Sequence, residues 1–346
     1  MSSRQITLRQ IARRAGVSAS TVSRVLSGQA RAHRISASAE SRIRACAARL
    51  NFVPNQLARS LRLRRTQTLG LVIPDISNPF FSAVARQVAL GARAQGYSIV
   101  LCDSQENPDQ EREAVELLFS RHVDGLILCP VGQSAAHLKI LASRGVPMVQ
   151  VDRVFPGLGI PCVVSDNVQG ARDATQCLVD HGHRRIACIQ GLRGSYPNEL
   201  RVRGYREALQ KNGIRFDAKL VAGANFSREN GYAQTRELLR RNPGFTAILA
   251  LSNPIAFGVL QALEEHGLGI PADLSVIAFD EQPYSAYLAT PMTTVAQPCG
   301  ELGQAALKLL TGRIEAPDRK SPPLTMLSTE IHLRKSVRRV APIPVA

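Results

Sequence analysis

Between Thr7 and Leu26 the apolar positions repeat with helical period: Leu8, Ile11, Ala12 and Ala15 fall at i, i+3, i+4 and i+7. One amphipathic helix is predicted, with Thr7 as its cap and Gln10 closing a capping box. Gly16 suits a left-handed terminus, Ser18 offers its oxygen to the first amides of a second helix, and Val17 and Val22 can staple that entry. Val22, Val25 and Leu26 then face inward and leave Ala19, Ser20, Ser23 and Arg24 outside. After a loop, Ile43, Cys46, Ala47 and Leu50 repeat the stripe on a third helix from about Ser36. Pro54 breaks the chain. Asn55 can cap a two-turn helix with Leu57, Ala58 and Leu61 on one side, too short to be stable alone; it is either a basic linker or a segment that folds on DNA.

From Leu69 the texture changes. LGLVIPD, YSIVLCD, DGLILCP, PMVQVD and PCVVSD are strand-like runs, and helical stretches near 80–95, 109–121 and 135–143 separate the first four. RIACIQG, KLVAGA, TAILALS, LSVIAFD and TTVAQ repeat the rhythm, with helices near 198–212, 227–241 and 254–266, a last helix near 298–311 and a last strand near 325–334. Strands alternating with helices mean parallel sheets covered on both faces. The expected fold is thus an all-α helix-turn-helix head on an α/β body of two doubly wound units. Ligands of such sheets bind at the carboxyl ends of the strands. Asp75, Asp103, Asp152, Asp166 and Asp280 all stand there, and together they predict a polar, ligand-facing rim.

Charge changes the picture most at the N-terminus. Residues 1–65 hold fourteen Arg, no Lys and one acid, Glu40, which is +13 of the chain's +16; Arg334, Lys335, Arg338 and Arg339 add four, and residues 66–333 come to −1. A helical hairpin alone is compatible with an ordinary core, but an almost acid-free basic module is the footprint of a polyanion partner. The seven Cys are odd in number, scattered and free of C-x-x-C pairs, so neither a disulfide framework nor a zinc site is expected. The His-Gly-His of 181–183 reads as a helix end with Gly182 as its cap, not a metal site. The N-terminus carries no apolar leader and no run is long enough to span a membrane, which points to the cytoplasm. No G-x-G-x-x-G follows a strand, and the P-loop, H-E-x-x-H and G-x-S-x-G signatures are absent. An enzyme on this body, a periplasmic-type sugar receptor and a non-specific architectural DNA binder are the rivals. The first two leave the basic head unexplained, and the third has no need of a cleft.

IARRAGVSASTVSRVLSG followed by NFVPNQLARSLR, with LGLVIPD, SNPFF, DGLIL, VDR, VSDNVQGA, RVRGYREAL and LSVIAFDE in the body, resembles the LacI/GalR family of sugar-responsive bacterial regulators over nearly the whole chain. LVIPD, ENPDQER, NFSREN and the long loop Gln29–Arg34 look most like its fructose- and sucrose-responsive branch. The resemblance implies a homodimer reading a pseudo-palindromic operator, with paired hinge helices in the minor groove and an effector between two subdomains. It implies a head over 1–53, a hinge over 54–68, and an effector and dimerisation domain over 69–333. Within the last, the N-subdomain would be about 69–165 plus 297–324 and the C-subdomain about 166–296 plus 325–335, with a tail from 336 to 346. That tail has no leucine heptads, so a tetramerising coil is not expected.

On this reading Thr7, Ser18, Thr21 and Ser23 hold phosphates, Ala19 and Ser20 face the bases, and Arg24 reaches guanine. Ser36, Asn55, Ala58 and Arg59 join the DNA-contacting set, and Leu61 is the wedge at the central base step. The resemblance puts Asp152, Arg153, Arg201 and Asp280 on the cleft walls with Asp75, Asn78, Phe80, Phe226 and Ser252; Ser252-Asn253 replaces a common Asn-Asp pair. Carboxylates accept sugar hydroxyls and rings cover a sugar face. Two guanidiniums suggest surplus positive charge, and hence a sugar phosphate of the fructose type before a neutral hexose, pentose or disaccharide.

Overall fold

The structure, a computed structural model, describes residues 6–52, 65–241, 244–317 and 322–340. It divides into two compact units between Thr66 and Gln67. In the first unit α1 (Leu8–Ala15), α2 (Ala19–Leu26) and α3 (Ala37–Arg49) pack around Ile11, Val22, Val25 and Ile43, all fully buried. Each such side chain contributes about 1.5–3 kcal/mol. Thr7 N–H donates to Gln10 Oε1 at 2.8 Å, Gly16 is left-handed at φ 65°, and Ser18 Oγ accepts from Thr21 N at 3.1 Å. The local signals of the head are therefore realised. The hinge residues Asn55, Ala58, Arg59 and Leu61 lie outside the described residues.

The second unit holds two six-stranded sheets. Lobe 1 contains β1 (Thr68–Ile73), α4 (Pro79–Ala94), β2 (Ser98–Asp103), α5 (Pro108–Ser120), β3 (Gly125–Leu128), α6 (Ala136–Ser143), β4 (Met148–Val151) and β5 (Cys162–Ser165). Lobe 2 contains α7 (Asn167–Asp180), β6 (Ile186–Ile189), α8 (Tyr196–Lys211), β7 (Val221–Ala222), α9 (Arg228–Arg241), β8 (Ala247–Ala250), α10 (Asn253–Glu265), β9 (Ser275–Phe279) and β10 (Thr293–Ala296). The chain returns through α11 (Cys299–Glu315) and β11 (Leu324–Leu327) to lobe 1, and ends in lobe 2 with β12 (Glu330–His332). Sheet 1 runs β11-β5-β4-β3-β1-β2, all parallel. Sheet 2 runs β12-β10-β9-β8-β6-β7, with only β12 antiparallel. Separate apolar clusters lie on the two faces of each sheet, as two-sided helix cover requires.

Two expected boundaries move. The single last strand expected near 325–334 is two strands in different sheets: Leu324–Leu327 pairs with Cys162–Ser165, and Glu330–His332 with Thr294–Ala296. The subdomain boundary at 324/325 therefore shifts to the short link after Leu327. The tail expected from 336 begins inside lobe 2: Ser336 is fully buried, with its Oγ donating to Val276 O at 2.6 Å and accepting from Thr293 N at 2.8 Å. Val340 N donates to His181 O, and His183 bonds Thr246 Oγ1 at 2.8 Å and the Arg338 carbonyl at 3.2 Å. The His183 ring thus links Thr246 to the segment at Arg338.

Candidate functional site

In the head, Ser20 and Arg24 of α2 are exposed, while Ala19, Thr21 and Ser23 are half-buried. Ala19, expected outside, packs against the head core because it opens the helix directly over Val22. Thr7 and Ser36 are exposed. Ser18 Oγ is engaged with Ser20 Oγ at 2.7 Å and Thr21 Oγ1 at 2.8 Å, so these hydroxyls form one patch at the N-terminus of α2. The head's only acid, Glu40, is taken by Arg44 at 2.7 Å. The remaining arginines keep the module strongly positive.

In the body, Asn78, Phe80, Phe81, Asp152, Arg153, Pro197, Arg201, Phe226, Ser252, Asp280 and Gln297 converge between the lobes, and the space they enclose is about 20 Å³, on the order of one water. Asp152 follows β4 and Asp280 follows β9. Each extends its ladder by one amide, to Val163 O and Val295 O, and each then turns left-handed, at φ 60° and 75°. Such backbone in a non-glycine residue costs about 1–3 kcal/mol and gathers at functional sites. Asp280 accepts from Asn253 N at 3.1 Å and Gln297 Nε2 at 2.6 Å. Asp152 Oδ1 and Gln297 Oε1 are buried and accept no hydrogen bond. Burial raises the Asp152 pKa above the usual carboxylate range, opposed by Arg201 and Arg153.

Both guanidiniums are already held. Arg153 forms a fork with Glu106 at 2.5 and 2.7 Å and lies between the Phe81 and Phe226 rings, 5.4 and 5.0 Å from their centroids. Arg201 donates to Asn167 Oδ1 and Leu251 O, both at 2.7 Å, covers Phe279 at 4.2 Å, and stands 4.0 Å from Asp152. Two cations thus meet three carboxylates, and the expected positive surplus disappears. Glu106 is 47 residues from Arg153, and no sequence spacing announced it.

Asp75 does not line the cavity. It accepts from Ser77 N and Oγ at 2.8 and 2.6 Å, Asp103 accepts from Gln105 N, and Asp166 caps α7 through Gln169 N. Of five strand-end aspartates, three are turn and cap residues, so the rim is narrower than expected. Ser252 caps α10, and Asn253 bonds Tyr284 Oη at 3.0 Å. Phe81, Pro197 and Gln297 were not anticipated. Gln297 sits just past β10, where the strand-end rule could have found it. Gly191 is required beside the site: a Cβ there would strike the Phe226 ring. Across the mouth, Gln133 Nε2 donates to Arg193 O at 2.8 Å, tying lobe 1 to lobe 2.

Residues 66–334 match the family described as periplasmic binding proteins and sugar binding domain of LacI family, and residues 7–55 match bacterial regulatory proteins, lacI family. The chain belongs to the lacI family. It is a DNA-binding transcriptional regulator of sugar metabolism and not an enzyme. This lacI-family chain is 36% identical over 332 residues to the ribose operon repressor of Halalkalibacterium halodurans, covering 96% of both chains. A lacI-family regulator from Enterococcus faecium, solved with bound ribose, is 30% identical, with 79% of this chain and 100% of that chain covered and a TM-score of 0.70. The lac repressor dimer bound to operator is 27% identical at TM-score 0.86, covering 97% of this chain and 100% of that one. Among the described residues no helix is long and apolar enough to cross a membrane.

Proposed function

We propose that this regulator is a homodimeric, operator-specific repressor whose effector is a neutral pentose of the ribose type, bound between the lobes. The observation that carries the effector reading is the pair of buried, unsatisfied acceptors, Asp152 Oδ1 and Gln297 Oε1, in a cavity whose two guanidiniums already have partners. Acceptors ask for hydroxyl donors, and paired arginines do not ask for a phosphate. Asp280 completes the acceptor set, Phe80 and Phe226 cover the ring faces, and Arg201 fixes the ligand's edge opposite Asp152. The lining joins aromatic faces to carboxyl and amide acceptors, the mixture a small sugar asks for. The similarity to ribose operon repressors and to a ribose-bound regulator supports the same class, in place of the fructose and sucrose branch.

At the head, Arg24 reads a guanine edge, Ser20 and Ala19 lie toward the bases, and Thr7, Ser18, Thr21, Ser23 and Ser36 position the backbone. The hinge residues Asn55, Ala58, Arg59 and Leu61 extend the contact into the minor groove by the same family resemblance. Calorimetry of the full chain against ribose, other neutral sugars and sugar phosphates tests the effector reading. Ribose is expected to bind, and Asp280→Asn to weaken it; tight binding of a sugar phosphate with none of ribose would overturn the reading.

A further inference from the structure

A second opening lies beside the loop that precedes β5 and reaches Tyr196 at the start of α8. Two adjoining cavities of about 520 and 450 Å³ share Gly157, Gly159, Ile160 and Arg313 beneath the loop that precedes β5. Arg313 stands fourteen residues along α11 from Cys299, about 20 Å by helix rise, whereas Gln297 at the start of that helix lines the sugar cleft. One cavity has Lys139 and the apolar groups Val146, Met148 and Leu158; the other has Pro156, Pro161, Tyr196 and Leu324. Among the described residues, the only charged ones lining either are Lys139 and Arg313.

Arg313 Nε is buried and makes no hydrogen bond, and its guanidinium forms no ion pair among the described residues. A buried donor without an acceptor costs about 1–3 kcal/mol, a penalty the fold avoids elsewhere by pairing its buried arginines. Arg153 and Arg201 show that pairing. Here a guanidinium edge is turned toward space large enough for a small molecule, between apolar walls, with a second cation beside it.

We propose that this groove is a second ligand site, for a small organic anion that places its charge on Arg313 and Lys139 and its apolar body along the loop at Gly157–Ile160. A fork of planar donors takes a carboxylate or a phosphate ester with equal geometry. The apolar walls exclude a bare inorganic ion as the best occupant, since the walls add burial only for a ligand with carbon to bury. The site shares no lining residue with the sugar cavity.

Calorimetry of the full chain against phenyl phosphate and benzoate, with phenol and inorganic phosphate as controls, tests this. At least one of the two organic anions is expected to bind, more tightly than either control and without competition from ribose; which of them binds tells a phosphate ester from a carboxylate. Arg313→Gln is expected to weaken that binding about 10- to 100-fold, the loss of charge-assisted donors. That dependence also separates the groove from the basic head. Should Arg313→Gln fold poorly, Lys139→Ala, at an exposed position, is expected to weaken binding severalfold. No binding by either anion, phenol binding as tightly as the anions, or wild-type affinity in both variants overturns the proposal.

Discussion

Replacing Glu106 by Gln probes the charge argument at its centre. The substitution keeps the shape of the side chain and removes the carboxylate that holds both arms of the Arg153 fork. Arg153 is 6% exposed at its side chain and Glu106 41%, so one partner is buried and the other is partly screened by solvent. Removing a partner from a fully buried pair costs about 3–5 kcal/mol; with Glu106 this accessible, about 1–2 kcal/mol is expected, a few degrees in Tm. The second consequence concerns specificity. With Glu106 neutral, two guanidiniums face only Asp152 and Asp280, and the Arg153 fork is free to accept an anionic ligand. Ribose 5-phosphate is then expected to gain affinity relative to ribose by about tenfold or more, as one charge-assisted contact allows. Parallel calorimetry of both ligands on wild type and Glu106→Gln, with a thermal melt of each protein, reads both effects. Unchanged stability together with an unchanged preference between the two ligands would refute the claim that Glu106 sets the cleft against phosphate.

Three further outcomes follow from named contacts. Arg24→Ala is expected to cost about 1–3 kcal/mol on the operator and little on random DNA; equal losses in electrophoretic shifts on both would contradict base reading. Asp152 is held protonated above its ordinary range by burial, so the folded state keeps a proton that the unfolded chain releases, and stability falls as pH rises through that interval. Asp152→Asn is therefore expected to raise Tm at neutral pH, to lose that advantage below the ordinary carboxylate pKa, and to weaken ribose; a lower Tm at neutral pH would contradict this. Burial lowers the His183 pKa, so its contribution is present above the ordinary histidine value and declines as pH falls through it, when the unfolded ring takes a proton first. Hydrogen exchange at Val340, whose amide is bonded to His181 O, is expected to rise in that acidic interval, and a flat profile would speak against the clasp.

The head was legible almost to the residue because its determinants are local: a threonine cap, a glycine in the left-handed region and a serine cap, set within a stripe of helical period. The two sheets were legible because fully buried parallel strands read as apolar runs. What escaped was set by tertiary placement. Leu324–Leu327 and Glu330–His332 read as one strand, since nothing local shows that Ser328 and Thr329 carry the chain from one sheet to the other. Asp75 and Asp152 look alike in sequence, yet one turns back on Ser77 and the other points into the cavity without a donor. Arg153 suggested a phosphate because its partner comes from a distant loop, so a count of charges near the strand ends missed Glu106.

Control of operator binding by a neutral pentose in the cleft is measured most directly by a fluorescence anisotropy titration of labelled operator with and without ribose. The lobes are tied by Gln133 to Arg193 and by Arg201 near Asp152, so a ligand that prefers one closure shifts the head's affinity through the body. Ribose is expected to change the apparent operator Kd by about 5- to 150-fold in wild type. Ribose 5-phosphate is expected to leave it unchanged, and Asp280→Asn to abolish the ribose effect. An operator affinity indifferent to ribose, or one that responds to ribose 5-phosphate instead, would contradict the account.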